Sequence, residues 1–280
     1  MTDIRPIGIF DSGIGGLTVL REILNTVPGE STIYFGDNSR APYGTKSKST
    51  VIRYSLQNMK FLESRDVKMI VVACNTASAY AYDELKAKAR VPVVEVVTPG
   101  ADEACRATKN GKIGIIATKG TISTGVYKAA VEKRAGELGM TGIEIFQQAC
   151  PLFVSLAEEG WWDTEITRLT AEEYLKPLKE AGIDTLVMAC THYPLLSKVI
   201  GEVMGSDVVL VNTGVATAKV VRDLLEKEGI AATGEDSLPL REFYTSDEPA
   251  LFEQIAAPFL GEGLPSGTKH FNTDRYEITI

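Results

Sequence analysis

The segment Met69-Ile-Val-Val-Ala-Cys74-Asn75-Thr76-Ala77-Ser78 joins five apolar residues, mostly β-branched, to a cysteine and a polar turn. A similar segment follows later, Thr185-Leu-Val-Met-Ala-Cys190-Thr191-His192-Tyr193-Pro194. Short apolar runs of this kind are typical of buried strands in parallel sheets. Each segment therefore predicts a strand that delivers a thiol to its carboxyl end, with a helix starting straight after it. Because open α/β sheets bind ligands at that edge, the pair suggests a two-sided active site.

Short strands alternate with longer helical patterns along the chain, which predicts parallel-sheet α/β structure. The pattern restarts once, because Gly111–Thr118 resembles Pro6–Phe10 at an offset of 106 residues, while the cysteine segments are offset by 116. Near-equal offsets indicate a duplicated unit. We predict two pseudo-symmetric α/β domains with the active site in the cleft between them. Residues 1–98 and 212–280 would form the first domain, and residues 99–211 the second.

The composition limits the classes of partner. Hydrophobic residues make up 44% of the chain and charged residues 24%, as in ordinary globular proteins. The net charge of −8 argues against a nucleic-acid partner, because such binding needs a basic surface. No apolar run reaches the roughly 18 residues of a membrane span, and no secretory signal is evident. The four cysteines form no CxxC pair. We expect a cytoplasmic protein with reduced thiols and no membrane association.

Most strand cysteines are small buried hydrophobic residues, so each thiol has an ordinary structural interpretation. Against it, Cys74 and Cys190 share the same context, at a strand end and before a helix, where the free N–H groups favour a thiolate. By the same test Cys105 and Cys150 look structural. Cys105 lies inside a helical pattern, and Cys150 leads a helix with no apolar strand immediately before it.

Other chemistries remain open at these residues. Cys190 and His192 could supply zinc ligands with Cys74 as a third, although zinc sites usually use four ligands or three and water. A hydrolase could use one cysteine as nucleophile and His192 as base, but the second cysteine segment would then have no purpose. The glycine-rich turn Asp11–Gly16 lacks the lysine of a phosphate-binding loop and does not complete GxGxxG. Asp11 and Ser12 could instead meet a substrate amine.

Two opposed thiols suit a reaction that removes a proton from one face of a carbon and returns one to the other. Such an inversion needs a base and an acid in mirror-related positions, with pKa values that allow both roles. A duplicated fold supplies that geometry. The residues therefore favour an amino-acid racemase without a cofactor. Pyridoxal phosphate is disfavoured because no lysine has an evident Schiff-base context.

An ordered set of motifs then resembles the glutamate racemase family over nearly the whole chain to about Leu260. The set comprises Ile7–Val19, Gly36–Gly44, Ala73–Ala77, Gly111–Thr121, Cys150–Val154 and Ala189–Pro194. The resemblance implies interconversion of L- and D-glutamate without cofactor or metal, supply of D-glutamate for peptidoglycan, and a homodimer. The alternative within the superfamily is a racemase for aspartate or another acidic amino acid.

The resemblance also implies roles for individual residues. Cys74 would act on D-glutamate and Cys190 on L-glutamate, assisted by Asp11 and His192, with Glu158 beside His192. From sequence alone Glu158 would belong to a solvated helix face. The substrate contacts would be Asp11, Ser12, Tyr43, Gly44, Asn75, Thr76, Thr118, Thr191 and His192.

Both ends of the sequence differ from the usual pattern of the family. The chain starts almost directly at its first strand, from which we expect activity that does not depend on a cell-wall precursor. The tail after Leu260 extends past the usual family end, and no function is assigned to it. Residues 276–280 alternate in polarity and predict a strand.

Overall fold

The computed structural model describes residues 3–232, 238–261 and 267–278. Within these ranges it contains ten strands: β1 (Ile7–Asp11), β2 (Thr32–Gly36), β3 (Met69–Val72), β4 (Val93–Glu95), β5 (Lys112–Ala117), β6 (Glu144–Ala149), β7 (Thr185–Ala189), β8 (Val209–Asn212), β9 (Arg241–Thr245) and β10 (Lys269–His270). The α-helices of the same ranges are α1 (Leu17–Thr26), α2 (Lys48–Glu63), α3 (Asn75–Lys88), α4 (Val97–Ala107), α5 (Lys119–Thr124), α6 (Val126–Glu137), α7 (Leu152–Glu158), α8 (Glu165–Glu180), α9 (Ser197–Met204), α10 (Thr213–Lys227) and α11 (Pro249–Leu260).

The strands form two separate sheets in which every pair is parallel. The first has the order β10-β9-β2-β1-β3-β4, and the second has the order β6-β5-β7-β8. Four adjacent strands of the first sheet, ending at the β4 edge, repeat the connectivity of the second, since β2, β1, β3 and β4 correspond to β6, β5, β7 and β8. This correspondence agrees with a duplicated unit. It places Cys74 and Cys190 after equivalent strands, and the predicted fold class is confirmed.

Apolar packing covers both faces of each sheet. In the first sheet one cluster lies around Ile9 and Val71, and the other around Phe10 and Val72. The second sheet has one cluster around Met188 and another around Val187 and the neighbouring strands. Consecutive strand residues point to opposite faces, so a central strand covered on both sides is buried along its whole length and mostly apolar. This explains why β1, β3 and β7 are continuous buried runs.

The chain passes between the sheets twice. After β4 it enters α4, which packs against β7 and α6 of the second sheet. After β8 it enters α10, which packs against α1 and α4. The predicted domain boundaries near residues 98 and 212 coincide with these passages, and they stay a prediction.

Two local predictions were wrong. Cys150 does follow a strand directly, because β6 extends to Ala149. The sequence predicts a strand near residues 142–146, but not its extension to Ala149, because the added residues lie at a sheet edge and are only partly buried. The tail forms no strand over residues 276–278, and residues 279–280 lie outside the described residues. Its strand is instead β10, which pairs with β9 at the edge of the first sheet.

In the part of the chain that the structure describes, no helix combines the length and the apolar character needed to cross a membrane.

Candidate active site

The two thiols predicted as functional lie at the carboxyl ends of β3 and β7. Cys74 is 5% exposed and Cys190 is 6% exposed. Cys74 is the N-cap of α3, as the sequence predicted. Cys190 differs from that prediction, because it is followed by a 3₁₀ turn over Tyr193–Leu196 before α9 begins. The two thiols therefore occupy equivalent strand ends but have different helical surroundings.

The environment of Cys74 keeps its thiol protonated. Its Sγ accepts a hydrogen bond from the Ala77 N–H at 3.4 Å and lies 3.6 Å from Ser12 Oγ. Burial, and after it the negative charge of Asp11, raise the pKa of Cys74 to about 12. The expectation that the helix start would lower this pKa was wrong. Loss of water around the thiol outweighs the few N–H groups that point at it.

Asp11 ends β1 and is completely buried. Its Oδ2 accepts the Gly13 N–H at 3.0 Å, while its Oδ1 has no hydrogen-bond partner among the described residues. Burial raises the pKa of Asp11, although the positive charge of His192 and nearby backbone N–H groups oppose this effect. An unpaired buried carboxylate oxygen is costly, so the site favours a cationic group beside it.

Cys190, His192 and Glu158 form a connected series. Cys190 Sγ lies 3.9 Å from His192 Nδ1, and His192 Nε2 lies 2.9 Å from Glu158 Oε1. Burial by itself lowers the pKa of His192, but the contacts with Cys190 and Glu158 raise it to about 10. The imidazole is thus held in its protonated form beside the Cys190 sulfur. The predicted association of Glu158 with His192 appears in the structure, with α7 carrying the carboxylate.

This arrangement predicts a pH dependence of stability. The pKa of His192 is higher in the folded protein than its ordinary value of 6.5. The folded state therefore binds more protons above pH 6.5, and the free energy of unfolding falls as the pH rises towards about 10. The contribution of His192 is fully present below pH 6.5. We expect the stability advantage of the wild type over His192→Gln in urea unfolding to shrink between pH 6.5 and 8. An advantage that grows over this interval would contradict the assignment.

Backbone from the first sheet packs directly against these residues of the second sheet. A Cβ atom at Gly15 would lie 2.4 Å from Thr191 Oγ1 and 2.5 Å from the His192 ring. Only glycine can occupy this position without displacing the site. Thr18 Oγ1 also donates to the Thr191 carbonyl at 2.8 Å. The turn after β1 therefore packs directly against the turn after β7.

Hydroxyl groups join the sheets a second time. Thr76 Oγ1 lies 3.0 Å from Thr118 Oγ1 and 3.2 Å from Thr121 Oγ1. A Cβ atom at Gly44 would lie 2.8 Å from Thr118 Cβ, so this loop also requires close backbone approach. Thr76 lies at the start of α3 and Gly44 in the loop after β2, both next to the first sheet, whereas Thr118 follows β5 of the second sheet. The carboxyl edges of the two sheets thus face each other across one cleft.

Asn75 contributes an amide to the same cleft. Its Oδ1 accepts a hydrogen bond from the Tyr127 hydroxyl on α6, and its buried Nδ2 has no partner among the described residues. Tyr127 and Thr121 were missed in the sequence. Thr121 ends the quoted motif Gly111–Thr121, so the motif could have revealed it, whereas no sequence signal marks Tyr127.

Tyr43 is placed differently from the other candidates. Its side chain is buried in the core beneath the first sheet, where the hydroxyl donates to Asp37 and accepts from Asn58 Nδ2 at 3.1 Å. The Tyr43 hydroxyl therefore already has two hydrogen-bond partners in the core. Tyr43 can contribute to the cleft only through its backbone and by holding Gly44 in position.

The remaining thiols have protein partners outside this constellation. Cys105 is buried on α4, with Sγ 3.6 Å from the Val131 carbonyl, and burial raises its pKa. Burial also raises the pKa of Cys150, whose Sγ donates to the Gln148 carbonyl at 3.7 Å. Among the described residues no group of three His, Cys, Asp or Glu is arranged to hold a metal ion.

Comparisons with known proteins agree with this geometry. The model of the Asp/Glu/hydantoin racemase family matches residues 7–237. The chain is 50% identical over 258 residues to the glutamate racemase of Geobacter metallireducens, covering 92% of this chain and 93% of that protein. The crystal structure of glutamate racemase from Francisella tularensis in complex with D-glutamate has a TM-score of 0.89 and 36% identity, with 98% and 100% of the two chains covered. The Thermus thermophilus glutamate racemase structure, in complex with beta-chloro-D-alanine, has a TM-score of 0.86 at 36% identity, covering 99% of this chain and 100% of that one. The resemblance seen in the sequence is confirmed, and the chain belongs to the Asp/Glu/hydantoin racemase family.

Proposed function

We propose that this protein is a glutamate racemase that interconverts L- and D-glutamate without a cofactor, with Cys74 and Cys190 as its two proton-transfer groups. The observation that carries the proposal is the position of the thiols. They end equivalent strands, β3 and β7, of two duplicated sheets whose carboxyl edges face each other. The named relatives support glutamate as the substrate, because they are glutamate racemases and one was solved with D-glutamate.

In the proposed reaction one thiolate removes the Cα proton and the opposite thiol donates a proton to the other face. The Cα–H bond electrons remain on the carbon until the second S–H bond breaks, so the first sulfur gains a proton and the second loses one. The protonation state of Cys74 in the structure favours one direction of the reaction. Cys74 is held as a thiol, because its pKa is raised to about 12. His192 lies close enough to exchange a proton with Cys190.

According to the roles that the resemblance implies, Cys190 as base and Cys74 as acid would convert the L-enantiomer into the D-enantiomer, and a protonated Cys74 suits that direction. Asp11 and His192 would assist Cys74 and Cys190 respectively, and Glu158 would hold the His192 ring. The sulfurs end the reaction in exchanged protonation states, so a proton must return before the next turnover in the same direction.

The proposed substrate contacts follow from the polar groups of the cleft. Asp11 Oδ1 would accept a hydrogen bond from the substrate ammonium, and Asn75 Nδ2 would donate one to a carboxylate, because both atoms are buried and have no partner among the described residues. Hydroxyls and N–H groups at helix starts suit the second carboxylate. The further proposed contacts are Ser12, Tyr43 through its backbone, Gly44, Thr76, Thr118, Thr191 and His192.

The proposed function predicts Cα deuterium incorporation from D₂O into both enantiomers of glutamate. Polarimetry should show racemisation of each enantiomer at a rate that a chelator does not lower. Aspartate, which is one methylene shorter, should react at least about ten-fold more slowly, because a missing methylene is worth about 1–3 kcal/mol. Equal or faster turnover of aspartate would make the protein an aspartate racemase. Hydrolysis of amide substrates without exchange at Cα would instead identify a hydrolase.

We further propose that the D-glutamate supplies peptidoglycan synthesis in the cytoplasm, and that the enzyme acts as a homodimer. These proposals rest on the resemblance to glutamate racemases. Light scattering on the purified protein tests the dimer directly. Rescue of a bacterial strain that requires D-glutamate tests the cellular role.

A further inference from the structure

The tail of the chain, residues 267–278, packs beside the loop that reaches the cleft. Strand β10 pairs with β9, and the Phe271 ring lies 4.2 Å from the Phe61 ring of α2. Beyond it, a 3₁₀ turn over Thr273–Arg275 brings Thr273 and Asp274 against Arg40. Arg40 belongs to the loop Asp37–Gly44, which connects β2 to α2.

Arg40 uses all its N–H groups to tie this loop together. Its Nη2 donates to Thr273 Oγ1 at 2.6 Å and to Asn58 Oδ1 at 3.1 Å. Its Nη1 donates to Asp274 Oδ1 at 3.1 Å and to Gln57. Its Nε lies 2.9 Å from both carboxylate oxygens of Asp37. Such charge-assisted bonds in a fixed planar fork hold geometry more firmly than single neutral bonds.

Asp37 connects Arg40 to the residues of the cleft. It is completely buried, and its carboxylate accepts hydrogen bonds from Arg40 and from the Tyr43 hydroxyl. Its backbone N–H donates to the Asp11 carbonyl at 3.1 Å. Gly44 follows Tyr43 and lies against Thr118 on the opposite sheet. A continuous series of contacts thus runs from the tail through Arg40 to a proposed substrate contact.

We propose that Thr273 is a positioning residue: through Arg40 and Asp37, it fixes the loop that carries Tyr43 and Gly44 into the substrate cleft. Thr273 is 1% exposed, and its hydroxyl is buried against the guanidinium. Without that oxygen Arg40 Nη2 loses its acceptor at 2.6 Å and keeps only Asn58 Oδ1 and the Asp37 carboxylate, whose Oδ2 lies 2.8 Å away. The Arg40 guanidinium then rotates, and Asp37, Tyr43 and Gly44 shift with it. The kinetic part of this inference rests on the proposed function.

Thr273→Val tests the proposal, because valine keeps the volume and removes the oxygen. We expect KM for both glutamate enantiomers to rise about three- to ten-fold, with kcat within about two-fold, because the loop binds substrate and carries neither thiol. The matched control is Thr268→Val in the same tail. Thr268 lies against Glu253 of α11, which accepts its backbone N–H at 2.8 Å, and it is not among the hydrogen-bond partners of Arg40, so loss of its hydroxyl should leave KM unchanged.

A double-mutant cycle with Arg40→Lys distinguishes positioning from general destabilisation. If Thr273 acts through Arg40, the Thr273→Val change should raise KM little further once the Arg40 guanidinium has been removed. Fully additive effects would overturn the proposal. An unchanged KM in Thr273→Val with a lowered Tm would also overturn it, because the tail would then only stabilise the fold.

Amide hydrogen exchange gives a readout that does not depend on activity. The amides of residues 38–44 should exchange faster in Thr273→Val than in the wild type or in Thr268→Val. Unchanged exchange would overturn the positioning role even in an active enzyme. If the wild type does not racemise glutamate, the proposed function fails, and this measurement still decides whether the tail orders the loop.

Discussion

Replacement of Cys74 or Cys190 by serine is expected to lower the racemisation rate by about 10²–10⁴-fold, the usual contribution of a positioned acid–base group. Serine keeps the shape of the side chain, but its hydroxyl is far less acidic than a thiol. Either variant therefore loses one half of the proton-transfer pair. The fold should survive, because both side chains are small and each lies at a strand end.

The two variants should fail in different ways. With Cys74→Ser, Cys190 can still exchange the Cα proton of the L-enantiomer, whereas inversion lacks its donor. With Cys190→Ser, exchange should persist for the D-enantiomer instead. Cα deuterium incorporation from D₂O, measured for each enantiomer by mass spectrometry, separates these outcomes. Full racemisation by either variant would show that its cysteine only packs the core.

Cys105→Ala is the matched control for both. Cys105 is buried like the two thiols, at 3% exposure, but its Sγ lies on α4 and contacts the Val131 carbonyl of α6 at 3.6 Å. Its racemisation rate should stay within about two-fold of the wild type, with a modest loss of stability from the small cavity. A loss similar to that of the serine variants would point to general sensitivity of buried cysteines.

Replacement of Lys68 by methionine is expected to lower the free energy of unfolding by about 3–5 kcal/mol, as when one partner of a buried ion pair is removed. Lys68 Nζ lies 2.6 Å from Glu30 Oε2, and both side chains are almost completely buried. The ammonium also donates to the Asp3 and Ile230 carbonyls at 2.7 Å. Methionine would leave the Glu30 carboxylate without its cation in the interior.

This ion pair lies at the end of the first sheet opposite the cleft, before β2 and β3 begin. Urea unfolding of Lys68→Met, Glu30→Gln and the double variant should show a double variant more stable than the sum of the single losses predicts. The kcat per folded molecule should not change, because no cleft residue is involved. Additive losses would contradict a direct interaction, and a selective loss of kcat would contradict the separation of this site from catalysis.

The amino-acid sequence by itself determined the α/β class, the duplicated plan and the two thiols. These features are written in short windows, because a buried parallel strand needs a continuous apolar run. Met69–Val72 and Thr185–Ala189 have such runs, and each is followed by a cysteine. Where a segment lacked a continuous apolar run, the predicted strand was wrong in extent or in position. Strand β6 is only partly buried, so its extension from the predicted end near residue 146 to Ala149 was not recognised, and the alternation at residues 276–278 forms no strand.

The ordered motifs also predicted a set of polar site residues, and the tertiary structure gathers these around one cleft. They are Asp11, Asn75, Thr76, Thr118, Thr191 and His192. Their individual roles stay predictions. Tyr43 shows the limit of a motif, because the motif marks the position without indicating that the phenol lies in the core, bonded to Asp37 and Asn58.

Only the tertiary structure decided the protonation of the site and its long-range support. The raised pKa of Cys74 depends on burial and on Asp11 from another strand. The hydrogen bond between Arg40 and Thr273 joins residues 233 positions apart in the sequence. Desolvation and contact between distant segments arise when the whole chain packs, so no short stretch of sequence encodes them.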